Sequence, residues 1–192
     1  LDEFNKVFDE EIELALKNSV FEYKIIHIIL VEKENSAFKI AKDNCENRVD
    51  KLLFHGTNNS SAIEIVSSQF YHANNVHQIG KGVYMTDSLD YMYYYTHNKD
   101  CDRKYKNINT IPEVGHSFDF VVSQVFYDQT KFEYVYDTKK ENMFVQDNGI
   151  RCAHDRYNAT VINEYELKDY NQFYGREFVI SKLDQILPLY VV

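Results

Sequence analysis

The amino-acid sequence predicts an α+β fold, made of one domain with a mostly antiparallel sheet. Helical patterns lie mainly in the first half of the chain and strand patterns in the second, without the regular strand–helix alternation of a parallel α/β protein. The chain has 192 residues, 44% of them hydrophobic, with only 2 prolines and 6 glycines, which suits a single packed core. Because the first residue is Leu1 and not Met, we expect residues 1–192 to be a domain of a longer protein, with 1–20 as a helical lead-in.

Two helices flank a strand at the start of the chain. Apolar residues at helical spacing predict a helix over 1–18, and a run rich in isoleucine predicts a strand over 21–31. A second helix is predicted over 35–45. The residues of this helix that we expect to face the core are Phe38, Ile40 and Ala41.

A short buried strand and a third helix follow. The strand covers 52–55 and ends at Gly56. Ser60 and Ser61 are the candidate N-caps of the helix, because a serine hydroxyl can accept a hydrogen bond from a backbone N–H of the first turn. The apolar residues of this helix are Ile63, Ile65 and Val66.

The remainder of the chain is mostly strands and polar loops. Residues 69–78 and 100–115 are polar and predict turns or loops, and 142–157 shows no regular pattern. A helix is predicted over 88–97. Strands are predicted over 83–85, 118–127, 132–136, 178–180 and 186–192. Since Pro188 has no N–H to donate, the last strand is expected at a sheet edge or with a bulge.

Composition and charge argue against several classes of function. The net charge of −9 disfavours a direct nucleic-acid interface, and the phosphates of any ligand would need local donors. No apolar run approaches the ~20 residues that span a bilayer, so we expect no membrane association. The three cysteines have an odd count and no metal-binding spacing, which favours an intracellular protein, cytoplasmic or nuclear, without a metal.

The segment Leu53-Phe54-His55-Gly56-Thr57 places an imidazole at the end of a strand, beside a glycine. Gly56 would let a flat ligand approach the main chain closely, and the backbone N–H and C=O could then pair with an amide. The simpler interpretation of His55 is a strand-end side chain that bonds a nearby carbonyl. Taken alone, this segment leaves both interpretations open.

Aromatic side chains follow the segment Gly80-Lys81-Gly82, which lacks the rest of a phosphate-binding motif. Tyr84 lies on the strand directly after it, and a run of tyrosines ending at Tyr95 lies on the next helix. Two rings on neighbouring elements can enclose a planar, positively charged ring such as nicotinamidium. The members of the run for which packing in the core is the simpler interpretation are Tyr91, Tyr93 and Tyr94.

Glu177 begins an apolar strand, where a carboxylate is unusual. Strand alternation places Glu177 and Val179 on one face, and Phe178 and Ile180 on the other. The carboxylate either pairs with neighbouring Arg176 or faces a cleft. In a cleft it could accept a hydrogen bond from a sugar hydroxyl and polarise an attacking nucleophile.

In their order along the chain, these motifs resemble the catalytic domain of the poly(ADP-ribose) polymerase family. The matching segments are His-Gly-Thr at 55–57, Gly-x-Gly-Val-Tyr at 80–84, Glu-Phe-Val-Ile at 177–180 and Gln-Ile-Leu-Pro-x-Tyr at 185–190. The likeness runs from about Tyr23 to Val192. It implies an ADP-ribosyltransferase fold with split antiparallel sheets and flanking helices. It also implies NAD⁺ as substrate, release of nicotinamide, and transfer of ADP-ribose to the side chains of proteins, this one among the candidate acceptors.

The resemblance further implies a His-Tyr-Glu site in this chain. The implied catalytic residues are His55, which would also bind the ribose next to nicotinamide, Tyr95 and Glu177. The implied binding residues are Gly56 and Thr57 near the nicotinamide end, Tyr84 and Tyr95 around its ring, and Ser61 towards the adenosine ribose. The resemblance implies no metal.

One position departs from the family pattern. Members usually carry a small hydroxyl residue three positions before the second tyrosine, where it bonds the carboxamide, and this chain has Met92 there. The alternative function is therefore a module of the same fold with weakened catalysis, which binds NAD⁺, ADP-ribose or a protein partner. A third interpretation is an unrelated tyrosine-rich α+β interaction domain in which the motifs coincide by chance.

Overall fold

A computed structural model gives the fold of the chain. It describes residues 2–19, 22–31, 35–70, 82–96, 117–135, 144–147, 150–153, 159–162, 166–167, 172–173 and 177–192. At 2–9, at 94–95, at the described residues of 131–173 and at 177, the description covers the backbone alone. The loop predicted over 100–115 and most of the turn predicted over 69–78 lie outside the described residues.

The helices of the described chain begin where the sequence offers capping side chains. They are α1 (Asp2–Asn18), α2 (Ser36–Asp43), α3 (Asn59–Ser67) and α4 (Leu89–Thr96). The side chains of Asn35 and Asn58 accept hydrogen bonds from the backbone N–H groups of Phe38 and Ser61, at 3.0 Å and 2.9 Å. Asn58 is therefore the N-cap of α3, and the prediction that Ser60 or Ser61 caps this helix is wrong.

The strands confirm an α+β fold with a mostly antiparallel sheet. In chain order they are β1 (Ile29–Leu30), β2 (Arg48–Gly56), β3 (Val83–Thr86), β4 (Phe120–Asp128), β5 (Phe132–Val135), β6 (Phe144–Asp147), β7 (Ile150–Ala153), β8 (Ala159–Ile162), β9 (Glu166–Leu167), β10 (Gln172–Phe173), β11 (Glu177–Ile180) and β12 (Ile186–Val191). The main sheet has eight strands in the order β1-β12-β4-β2-β3-β11-β8-β5. Its described pairs are antiparallel except for β5 with β8, and β6–β7 and β9–β10 form two small antiparallel sheets.

Each face of the central strands packs against a different set of helices. On one face, strand residues that include Leu53, Met85, Phe178 and Ile180 pack with Ala62 and Ile65 of α3. On the other face, strand residues that include Leu52 and Phe54 pack with Ile12 and Ala15 of α1 and with Leu89 and Met92 of α4. Burying a large apolar side chain of this kind contributes about 1.5–3 kcal/mol. The tyrosine-rich helix α4 is therefore held on the Phe54 face of the sheet.

A polar contact also joins the two helices of the Phe54 face. Ser19, just after α1, donates a 2.5 Å hydrogen bond to the carboxylate of Asp90 in α4. Asp90 is only 1% exposed, so this bond satisfies part of a buried charged group. Together with the apolar contacts, it fixes α4 on the sheet.

Two predicted elements near the start of the chain differ from the structure. The strand predicted over 21–31 is wrong for most of its length, because only Ile29–Leu30 pairs with β12. Its other described residues make no strand ladder, and Ile26 is 74% exposed. Ile40, expected to face the core, is 62% exposed, since it lies about 200° around α2 from the buried Phe38.

Differences in the second half of the chain concern pairing between strands. The segment 142–157, predicted to be irregular, contains the antiparallel pair β6 and β7. The register between β12 and β4 shifts between Pro188 and Tyr190, which confirms the bulge expected at the proline. None of the described helices is long and apolar enough to cross a membrane.

Candidate active site

The candidate site lies where β2 and β3 separate. Along the described residues these two strands pair only at Phe54 and Thr86, whereas β2 pairs with β4 over its whole length. If the ladder between β2 and β3 continued, Gly56 would lie opposite Tyr84. The sheet opens at this point instead, and His55 lies at the opening.

The ring of His55 bridges the opening to the neighbouring strand. Its Nδ1 lies 2.8 Å from the backbone carbonyl oxygen of Tyr84. Because a carbonyl oxygen can only accept, we assign the ring hydrogen to Nδ1, which leaves Nε2 of the neutral ring with a lone pair. The simpler interpretation drawn from the sequence, a hydrogen bond to a carbonyl, is therefore correct for Nδ1. It leaves Nε2 as an acceptor for a ligand hydroxyl.

Burial keeps this imidazole neutral. Loss of water around the ring lowers the pKa of His55 from its ordinary value of 6.5, and the hydrogen bond to the Tyr84 carbonyl offsets part of this effect. The described residues that line the pocket beside the ring include no carboxylate, lysine or arginine that would oppose the shift. At neutral pH, Nε2 is therefore unprotonated.

The backbone of Gly56 presents both of its polar groups to the same opening. Phe120 exchanges hydrogen bonds with Val192, N–H to O at 2.9 Å and 3.0 Å, so its N–H and C=O point towards β12. Phe120 is also the partner of Gly56, and in an antiparallel ladder the N–H and C=O of Gly56 must then point away from β4. That side is where β3 has separated. A planar amide placed there could donate to the C=O of Gly56 and accept from its N–H.

A small pocket of about 40 Å³ lies at the opening. A volume of this size holds a few water molecules, so a dinucleotide could enter it only with one end. The described residues that line it are Phe54, His55, Gly56, Tyr84, Met85, Thr86, Tyr91 and Met92. Tyr91 and Met92 are 3% and 0% exposed, so α4 closes the inner side of the pocket with an aromatic ring and a thioether.

Positions 95 and 177 lie on or next to the elements that supply lining residues of this pocket. Position 95 lies four residues after Tyr91 and three after Met92 on α4, which places it on the helix face of these two lining residues. Position 177 pairs directly with Thr86, another lining residue, and so shares its face of the sheet. The side chains of Tyr95 and Glu177, and the distances from them to His55, lie outside the described residues.

Gly82 allows β3 and β11 to approach each other closely. A Cβ atom at Gly82 would lie 2.6 Å from Cγ1 of Val179 and 2.8 Å from the carbonyl oxygen of Ile180. Any side chain at this position would push β11 away. The second glycine of the Gly-x-Gly segment therefore serves strand packing, which holds position 177 opposite Thr86. The first glycine, Gly80, and Lys81 lie outside the described residues.

Two residues implied by the resemblance are not part of the described lining of the pocket. Thr57 follows Gly56 on the connection to α3, and Ser61 lies in the first turn of that helix with its N–H bonded to Asn58. Four lining residues were not predicted as part of a site. They are Phe54, Met85, Thr86 and Tyr91. Each of them lies within or close to one of the motifs, and this closeness was the signal available. For Tyr91 the sequence favoured a role in core packing.

Comparison with protein-family models gives a match over residues 2–192 to the poly(ADP-ribose) polymerase catalytic domain. The chain belongs to this family. A search of curated proteins found no match.

Membership in the poly(ADP-ribose) polymerase catalytic-domain family accounts for the fold and suggests ADP-ribosyltransferase activity. The family uses NAD⁺ as its substrate, and its members are associated with ADP-ribosyl transfer. The described geometry offers Nε2 of His55 as a hydrogen-bond acceptor and the backbone of Gly56 as a donor and an acceptor. Within the described residues no cluster of three or more histidine, cysteine, aspartate or glutamate side chains could hold a metal ion.

Proposed function

We propose that this chain is the catalytic domain of an NAD⁺-dependent protein ADP-ribosyltransferase. The observation that carries the proposal is the opening between β2 and β3, where His55 and Gly56 line one pocket. Ribose hydroxyls and a carboxamide are hydrogen-bonding groups at the nicotinamide end of NAD⁺. Each finds a partner of the matching kind at this opening.

The proposed catalytic residues are His55, Tyr95 and Glu177. His55 would bind the 2′-hydroxyl of the ribose through Nε2, and Gly56 would bind the carboxamide. Tyr84 and Tyr95 would enclose the nicotinamide ring. The faces of the two tyrosine rings would stabilise this positively charged heteroaromatic ring. Thr57 would lie near the same ligand, and Ser61 would lie towards the adenosine ribose.

In the proposed reaction, the bond between the anomeric carbon of the ribose and the nicotinamide nitrogen breaks. Nicotinamide leaves as a neutral molecule with both electrons of that bond. The nucleophilic atom of a protein side chain, on a partner or on this protein itself, forms the new bond to the anomeric carbon and releases its proton to solvent. The carboxylate of Glu177 would stabilise the positive charge that develops on the ribose and orient the acceptor.

Incubation with isotopically labelled NAD⁺ tests the proposal. We expect label in protein, or slow release of nicotinamide without an acceptor. Glu177→Gln should reduce transfer by about 100-fold or more, the scale of losing one charge-stabilising group in other enzymes, while NAD⁺ still binds. Glu64→Gln, on an exposed position of α3, is the matched control and should leave transfer unchanged. Wild-type protein that binds NAD⁺ but neither transfers ADP-ribose nor hydrolyses NAD⁺ would refute catalysis.

A second candidate function is binding without efficient catalysis, and Met92 favours it. Met92 is completely buried in the pocket lining, at the position where the resemblance leads us to expect a small hydroxyl. A thioether cannot donate a hydrogen bond to the carboxamide oxygen. Calorimetry with NAD⁺ and with ADP-ribose, run beside the transfer assay, separates the two functions. Binding of either ligand without transfer would favour the second.

A further inference from the structure

The ring of His55 contacts a second group besides the Tyr84 carbonyl. The ring of Phe70 lies edge-on to it, with the ring centroids 5.2 Å apart and the ring planes at 88°. This is a favourable arrangement for two aromatic rings. Phe70 is 3% exposed and belongs to the apolar cluster on the α3 face of the sheet.

Helix α3 brings Phe70 back to the end of β2. The chain leaves β2 at Gly56, enters α3 after the cap at Asn58, and reaches Phe70 three residues after the helix ends at Ser67. Buried Ala62 and Ile65 fix α3 against the sheet, in the same cluster as Phe70. Phe70 is therefore held in place by the apolar core on the α3 face of the sheet.

We propose that Phe70 is a positioning residue that fixes the His55 ring so that Nε2 faces the pocket as a hydroxyl acceptor. The inference rests on the proposed function, since it assigns a task to His55 in NAD⁺ binding. Phe70 lies outside the four matching segments of the sequence and outside the described lining of the pocket. Its contribution would be made entirely through His55.

The physical need for such a residue follows from the geometry of the ring. One hydrogen bond, from Nδ1 to the Tyr84 carbonyl, fixes one atom but still allows the imidazole to tilt about that bond. An edge-on aromatic ring packed against it restricts the tilt. Phe70 also covers part of the ring, and burial of the ring lowers the pKa of His55. The same contact would thus help to keep Nε2 unprotonated.

Titration of His55 by NMR in Phe70→Leu and Phe70→Ala tests the inference. The chain has 7 histidines, so a His55→Gln spectrum assigns the resonance. We expect the pKa of His55 to rise towards 6.5, more in Phe70→Ala than in Phe70→Leu, because each change admits more water to the ring. The Kd for NAD⁺ should rise several-fold, and kcat at saturating NAD⁺ should fall less.

The matched control is Phe38→Leu. Phe38 is 4% exposed and makes an edge-on ring pair with Phe126 at 5.3 Å and 73°, a contact much like that of Phe70. Removing it should cost similar stability while the pKa of His55 and the Kd for NAD⁺ stay unchanged. This comparison separates positioning from a general loss of packing.

The outcomes separate the inference from the proposed function. If Phe70→Leu folds and leaves the pKa of His55 unchanged, or if Phe38→Leu shifts it equally, the positioning role is wrong. If Phe70→Ala does not fold, the pKa of His55 in Phe70→Leu alone tests the positioning role. If the Phe70 variants shift the pKa of His55 but the protein never binds NAD⁺, the effect of Phe70 on His55 stands and the proposed function is wrong. The same response together with NAD⁺ binding supports both.

Discussion

Replacing Gly82 with alanine would test the close approach of β3 and β11. The added Cβ would lie 2.6 Å from Cγ1 of Val179, and 2.8 Å and 3.2 Å from the carbonyl oxygen and carbon of Ile180. Non-bonded carbon atoms prefer separations of about 3.5–4.0 Å. Val179 is fully buried and β-branched, so it has little freedom to rotate away. The Ile180 carbonyl cannot move without displacing β11 itself.

The expected loss of stability follows from these distances. Overpacking a core typically costs about 1–3 kcal/mol, and because backbone atoms are among the close contacts, we expect about 3 kcal/mol for Gly82→Ala. For a domain of this size, that corresponds to a fall in Tm of roughly 6–12 °C. We also expect transfer activity to fall further than the folded fraction does. The reason is that β11 carries position 177 opposite Thr86.

Thermal unfolding of four proteins gives the decisive measurement. They are the wild type, Gly82→Ala, Val179→Ala and the double variant, compared as a double-mutant cycle. Val179→Ala removes the contact with Cγ1 but not the contact with the Ile180 carbonyl, so the double variant should recover only part of the loss. Complete recovery would contradict a backbone clash. A Gly82→Ala protein as stable as the wild type would refute the close approach altogether.

Three further predictions address the pocket, the imidazole and the helix beside them. Met92→Ser should tighten NAD⁺ binding several-fold by supplying a hydroxyl, although the lost apolar volume lowers Tm, and weaker binding by calorimetry would contradict this. The Kd for NAD⁺ should stay constant from neutral pH down to 6.5 and rise only below the lowered pKa of His55. Between pH 6.5, near which the unfolded histidine takes up its proton, and the lowered pKa of the folded His55, the free energy of unfolding should fall as the pH falls, and His55→Gln should remove this slope in urea unfolding. Asn58→Ala should cost about 1 kcal/mol by the same measurement, whereas Asn58→Asp should retain the cap.

Part of the candidate site could be predicted because the histidine–glycine motif lies at the end of a strand. An imidazole followed by glycine at the end of an apolar strand indicated an exposed backbone beside a ligand-binding group, and His55 and Gly56 do lie at an opening of the sheet. Alternation along the strand placed Phe178 and Ile180 on one face, and both pack in the α3-side core. These features depend on the local geometry of a single strand, which the order of residues in the sequence predicts directly.

Features that depend on pairing with a distant segment were predicted less well. The isoleucine-rich run over 21–31 has strand propensity, but among its described residues only Ile29 and Leu30 form a strand ladder, with β12. The pair β6 and β7 was missed because neither strand has a clear alternating pattern. Phe70 gave no signal as part of the site, because its contact with His55 depends on how α3 packs against the sheet.

The opening between β2 and β3 explains why a histidine and a glycine occur together at this point. Ending a ladder inside a sheet leaves backbone groups without partners, and each such buried group costs about 1–3 kcal/mol. His55 offsets part of this cost. Its Nδ1–H donates a hydrogen bond to the Tyr84 carbonyl, which in a continued ladder would have accepted one from the N–H of Gly56. The N–H and C=O of Gly56 are left facing the opening. A carboxamide carries the same donor and acceptor that a strand would have supplied, so a ligand of this kind can take the place of the missing ladder step.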